Sequence, residues 1–112
     1  MSGWIGVDLD GTLAEYYAWK GETEIGKPVP KMLARVKRWI AEGQEVRIVT
    51  ARVAMPHGRR VAVSVVKAWC REHVGQELPV THEKDFGMIE LWDDRAVQVR
   101  RNTGEPVDVT RR

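Results

Sequence analysis

Cysteine is nearly missing from this chain: Cys70 is the only one in 112 residues. A lone thiol closes no intrachain disulfide, so a disulfide-stapled scaffold is excluded, and no Cys/His pattern surrounds it to suggest a cysteine nucleophile. A single free cysteine fits a reducing cytoplasm and a buried side chain. Long apolar runs are also lacking, and no stretch approaches the ~20 residues of a membrane span. The opening segment MSGWIGVD has neither the basic flank nor the apolar length of a secretory signal, so a cytoplasmic location is expected. Charge of one sign is scarce: 18 Lys+Arg against 16 Asp+Glu leave +2, too little to argue for nucleic acid by itself. The histidines His57, His73 and His82 are scattered without zinc-ligand spacing. There is no internal repeat and no low-complexity tract. What is present is an ordinary globular balance, 43% apolar and 30% charged, in a length that suits one domain.

Short apolar runs alternate with longer amphipathic segments. Trp4-Ile5-Gly6-Val7 reads as a strand covered on both faces, ending in Asp8-Leu9-Asp10-Gly11. A polar connector over about 14–30 follows, broken by Gly21, Gly26, Pro28 and Pro30 and carrying Tyr16, Tyr17 and Trp19. Met32, Leu33, Val36, Trp39 and Ile40 make one stripe of a helix over 31–42, with Pro30 in its first turn and Gly43 at its stop. Residues 45–49 form a second strand, ending at Thr50. A second helix over 58–74 is expected, with Val61, Val65, Trp69 and His73 spaced four apart; its valines leave a strand over 61–66 open, although length and the charges Lys67, Arg71 and Glu72 favour the helix. Short strands follow over 79–81, 88–92 and 96–99, then a polar tail over about 102–112 as a turn and frayed end. The order predicts a single α/β domain, a Rossmann-like three-layer sandwich with a mostly parallel sheet.

The acids gather where such a sheet binds ligands. If the strands are parallel, Asp8 and Asp10 after the first, Thr50 after the second, Lys84 after the third, and Asp93 and Asp94 after the fourth share one edge. A lone Asp at a strand end is ordinarily a turn former or helix cap. Four such acids on one edge repel one another unless a cation joins them, and an all-oxygen set suits Mg²⁺. An EF-hand use of Asp-x-Asp fails: counting from Asp8, Leu13 stands where the turn glycine belongs and Trp19 where the bidentate Glu belongs.

The run VDLDGTLA (Val7 to Ala14) resembles the first motif of the haloacid dehalogenase-like (HAD) phosphohydrolase superfamily. RIVTAR (Arg47 to Arg52) is similar to its second motif, Lys84 in THEKD to the basic residue of its third, and LWDDRAVQV (Leu91 to Val99) to its acidic fourth in double-Asp form. The likeness spans residues 3–99. It implies HAD-type topology and a Mg²⁺-dependent phosphatase. Asp8 would be the nucleophile forming an aspartyl-phosphate, and Asp10 the general acid and then base, with its backbone carbonyl on the metal. Gly11 would permit the chain to coil so that both side chains reach one substrate. Thr50 would hydrogen-bond a phosphoryl oxygen together with backbone N–H groups near Leu9 and Ala51, with Arg52 beside them. Lys84 would pair with the phosphate and Asp8. Asp94 would bind the metal directly, with Asp93 behind it against Lys84 or a water.

Length bears on the substrate. Neither Asp10 to Thr50 nor Thr81 to Met88 has room for the cap domain that many members carry, so the site should be open or covered by a neighbouring subunit in a homo-oligomer. Residues 16–27 then form a short flap whose Tyr16, Tyr17 and Trp19 either stack on substrate or pack into a small hairpin. Trp39 and Trp69 are expected in the core, and Trp92 beneath the site. His57 and Arg59, just past the second motif, are placed to touch substrate, but polar residues are also ordinary at a helix N-terminus. The favoured substrate is a phosphorylated small molecule, a sugar phosphate or nucleotide. Alternatives are a nucleic-acid end phosphatase resembling that half of polynucleotide kinase, with Arg100, Arg101, Arg111 and Arg112 on phosphates, or a non-catalytic binding domain. No membrane partner is expected.

Overall fold

A computed structural model describes residues 2–107. Four strands, β1 (Trp4–Asp8), β2 (Glu45–Val49), β3 (Val80–Thr81) and β4 (Met88–Trp92), form one parallel sheet in the order β3-β2-β1-β4. Two helices, α1 (Pro30–Ala41) and α2 (Arg59–His73), connect β1 to β2 and β2 to β3. This is a small Rossmann-like α/β domain without a cap.

Register places the site. Val7 lies level with Trp92 and Asp8 level with Val49, so the residues that follow β1, β2 and β4 emerge together at the carboxyl edge. Strand order reverses there, since the chain moves from β1 outward to β3 and then returns to β4 on the other flank, which opens a crevice for ligand.

Both helices pack on the same face. Right-handed crossovers that step repeatedly in one direction along a sheet require this. Ile5, Val7, Val46 and Ile48 point to that face and join Met32 and Val36 of α1 and Val66, Trp69 and Cys70 of α2 in one core. The third layer of the expected sandwich is reduced to the loop 82–87, which is too short to carry a helix across from β3 to β4. Trp4 holds that loop on the open face: its Nε1 donates to Asp85 Oδ1 at 2.9 Å, and its backbone N donates to the Gly87 carbonyl at 2.8 Å. Arg47 lies over the same indole at 4.4 Å.

The stripe of α1 falls as expected, with Met32 and Val36 buried and Leu33, Trp39 and Ile40 packed against the core. In α2 the buried series is Ala62, Val66, Trp69 and Cys70, one residue round from the expected one. Val61 is exposed, because a helix of valines offers two apolar faces and only packing against β2 and β3 selects one. Cys70 is buried, and that burial pushes its thiol up to about 11.

The expected strand over 96–99 does not join the sheet. Its backbone pairs instead with 105–107, through Val107 N to the Gln98 carbonyl and Arg100 N to the Glu105 carbonyl, around a turn where Asn102 has φ 66°. A segment that finds its partner across a local turn needs no return to the sheet edge. Arg100 and Arg101 are exposed on this hairpin. The rest of the expected tail, with Arg111 and Arg112, lies outside the described residues. No described helix is long and apolar enough to cross a membrane.

Candidate active site at the carboxyl edge

The chain after β1 coils tightly. Thr12, Leu13 and Ala14 all donate backbone N–H groups to the Leu9 carbonyl, which ties the turn to the buried Leu9 and Leu13 side chains. Gly11 sits at φ +91°, and a Cβ there would meet Asp94 Oδ2 at 2.6 Å. Glycine is therefore required twice, by backbone conformation and by the approach of Asp94.

That approach builds the acidic centre. Asp8, Asp93 and Asp94 each offer a carboxylate oxygen, all within 4.8 Å of one another. Thr12 knits them together: its hydroxyl accepts from the Asp94 backbone N–H at 3.0 Å and lies 3.1 Å from Asp94 Oδ1 and 3.3 Å from Asp8 Oδ2. Asp93 Oδ1 accepts from the Arg95 backbone N–H at 2.7 Å. The result is an accumulation of negative charge. Burial, a hydrogen bond with Asp94 and the charges of Asp93 and Asp94 together push the Asp8 carboxyl up to about 7, against a pull down from Thr12.

The fourth acid is held apart. Asp10 turns its carboxylate to Arg52, which grips it with two bonds, Nε to Oδ2 at 2.7 Å and Nη2 to Oδ1 at 2.9 Å. The Arg52 side chain is only 7% exposed. It also donates to the carbonyls of Glu24 at 2.8 Å and Glu22 at 3.3 Å, and it stacks on Trp19 at 4.8 Å. One guanidinium thus joins the turn after β1, the segment after β2 and the flap, using the planar fork that lysine lacks.

The flap closes at its base where Ala14 bridges Pro28 and Glu15 N donates to the Lys27 carbonyl. Gly26 passes so close to Glu15 that a Cβ would sit 2.1 Å from its carbonyl oxygen. Trp69 of α2 donates from Nε1 to the Gly26 carbonyl at 3.0 Å, and Ile25 packs on the core.

These elements enclose an open cavity of about 880 Å³. Asp8, Asp10, Thr50, Ala51, Arg52, Asp93 and Asp94 of the expected set line it, as does Trp19. Thr50 is 3% exposed, and its hydroxyl accepts from the Arg52 backbone N–H at 3.1 Å. Leu9 is wholly buried and contributes backbone only. Trp92 is half-buried against the core, its ring tilted against that of Trp39 with centroids 5.3 Å apart.

The fold does not bring Tyr17 or Lys84 to this cavity. Tyr17 is 88% exposed and lines a smaller neighbouring cleft that Asp10 and Arg52 also border. Lys84 is exposed and pairs with no acid among the described residues. The reason is the descent of loop 82–87 toward Trp4 at the opposite edge of β1, which draws Asp85 and its neighbour down and leaves only His82 at the cavity wall. The cations lining the wall are Arg52 and Arg95. Sequence reasoning missed the bridging role of Thr12, the Arg52–Asp10 pair, and Arg95, Met55 and Glu22 in the wall. Thr12 and Arg95 were legible as neighbours of the acidic motifs; the others depend on where the flap and the turn after β2 fold.

No family model matches the chain, and no curated protein matches it in sequence. Among solved structures, that of a conserved protein coded by a locus from Bacteroides thetaiotaomicron superposes with a TM-score of 0.60 at 21% identity, over 87% of this chain and 79% of that one. At that identity the likeness is one of fold.

Proposed function

We propose that this chain is a Mg²⁺-dependent phosphomonoester hydrolase of the HAD type, acting through an aspartyl-phosphate on Asp8. The observation that carries the reading is the meeting of Asp8, Asp93 and Asp94 within 4.8 Å at the ends of adjacent parallel strands. Three converging carboxylates form an all-oxygen donor set, and the raised Asp8 carboxyl marks negative charge that no ion pair among the described residues neutralises. Asp8, Asp94 and Asp93 would hold the ion, with the Asp10 backbone carbonyl. Bound there, Mg²⁺ supplies the charge neutralisation that lets an anionic nucleophile approach a phosphoryl group.

In this reading an Asp8 oxygen forms a bond to phosphorus while the ester P–O bond breaks. Asp10 gives a proton to the leaving oxygen. Asp10 then takes a proton from water, whose oxygen attacks phosphorus and releases Asp8. The Thr50 hydroxyl donates to a phosphoryl oxygen. Asp10 works only after Arg52 loosens its two-pronged grip, and a phosphoryl dianion entering the cavity competes for the same guanidinium. The work assigned to Lys84 by resemblance falls instead to Arg52 and Arg95 in the wall.

The test is phosphate release from a panel of monoesters with and without Mg²⁺. Hydrolysis is expected only with the metal. Asp8→Asn abolishes it with the fold intact, and Asp10→Asn slows it severely. Full activity in Asp8→Asn refutes the mechanism, and no hydrolysis of any ester favours a non-catalytic binding domain.

A further inference from the structure

The cavity has a second end that the phosphoryl chemistry does not use. A volume of about 880 Å³ is far more than a phosphate fills and lies within the range of small-molecule pockets. Its outer wall carries Tyr16, Trp19 and Met55, which are 39%, 56% and 69% exposed. Large apolar side chains from two separate segments, the flap and the turn after β2, thus line one cavity while staying open to water.

Trp19 is also fixed in place. Arg52 lies 4.8 Å from its ring and is itself held by Asp10 and by the Glu22 and Glu24 carbonyls. An exposed indole with a held guanidinium against its ring presents surface to the cavity at a lower ordering cost than a free side chain. A planar aromatic ring gains most from such a platform. The thioether of Met55 suits the edge of the same ring.

From this geometry we infer that the Tyr16–Trp19–Met55 wall is a nucleobase subsite and that the substrate is a free nucleoside monophosphate, its phosphate at Asp8 and its base on Trp19. The inference rests on the hydrolase reading above and narrows it. A sugar phosphate would leave the aromatic wall exposed. An oligonucleotide end would call for a cationic track, whereas among the described residues the cavity wall carries two arginines, Arg52 and Arg95, both used at the phosphoryl end.

The experiment compares kcat/KM, with Mg²⁺, for adenosine and uridine 5′-monophosphates, ribose 5-phosphate and a 5′-phosphorylated oligonucleotide. Base stacking is worth roughly 1–3 kcal/mol, so the mononucleotides should exceed ribose 5-phosphate by about 5- to 150-fold. Trp19→Leu should lower the ratio of nucleotide to ribose 5-phosphate efficiency by about tenfold, and Trp19→Phe should keep most of it. Taking the ratio cancels any effect passed through Arg52 to Asp10, which both substrates feel alike. Equal efficiencies for nucleotide and ribose 5-phosphate, or a ratio unmoved in Trp19→Leu, overturn the subsite and leave the hydrolase standing. Preference for the oligonucleotide overturns the free-nucleotide assignment. Hydrolysis of none of the four overturns both.

Discussion

Replacing Asp8 by Asn should stabilise the metal-free protein at neutral pH and have no such effect in acid. The Asp8 carboxyl ionises near pH 7 in the folded chain and near 3.8 in the unfolded one, because burial and the Asp93 and Asp94 charges disfavour its anion. A carboxyl raised on folding contributes its stability in full below about pH 4 and loses it as pH climbs through 7. About three powers of ten in proton affinity would correspond to about 4 kcal/mol for a fully enclosed group. Asp8 is half-buried at an open cavity, so solvent screening reduces the figure to about 1–2 kcal/mol. For a domain of this size that is about 4–8 °C in melting temperature. Thermal melts in chelator should therefore place Asp8→Asn several degrees above the parent at pH 7.5 and level with it at pH 4. Added Mg²⁺ should raise the parent at pH 7.5 and raise the variant less. A variant that melts with the parent at pH 7.5, or that gains equally at both pH values, would refute the claim that uncompensated charge resides at Asp8.

Two further substitutions test how the site is held. Gly11→Ala combines a left-handed backbone with a Cβ 2.6 Å from Asp94 Oδ2; a loss of more than about 1 kcal/mol and weaker Mg²⁺ binding by calorimetry are expected, and unchanged affinity would show that Asp94 is not seated there. Trp69→Phe keeps a buried ring but removes the bond to the Gly26 carbonyl; about 1 kcal/mol should be lost, with faster amide exchange over 15–27, and unaltered exchange would mean the flap is held elsewhere.

The sequence by itself determined the strands and helices that punctuation marks. β2 and β4 fall on their expected residues, and α1 shifts by one, since Pro30 and Gly43 bound it and its apolar stripe has one phase. It also determined the acids at the strand ends, because Asp8, Asp93 and Asp94 follow directly from where apolar runs stop. Tertiary structure decided everything that depends on which way a side chain turns. The phase of α2 was open because its valines offer two faces and the choice belongs to β2 and β3. Lys84 and Asp10 looked equivalent to their acidic and basic neighbours until two distant tryptophans intervened: Trp4 draws the loop of Lys84 away, and Trp19 helps hold the arginine that takes Asp10 out of the carboxylate cluster. Strand ends are local consequences of hydrophobic pattern, whereas charge pairing is set by contacts between segments that no local pattern records.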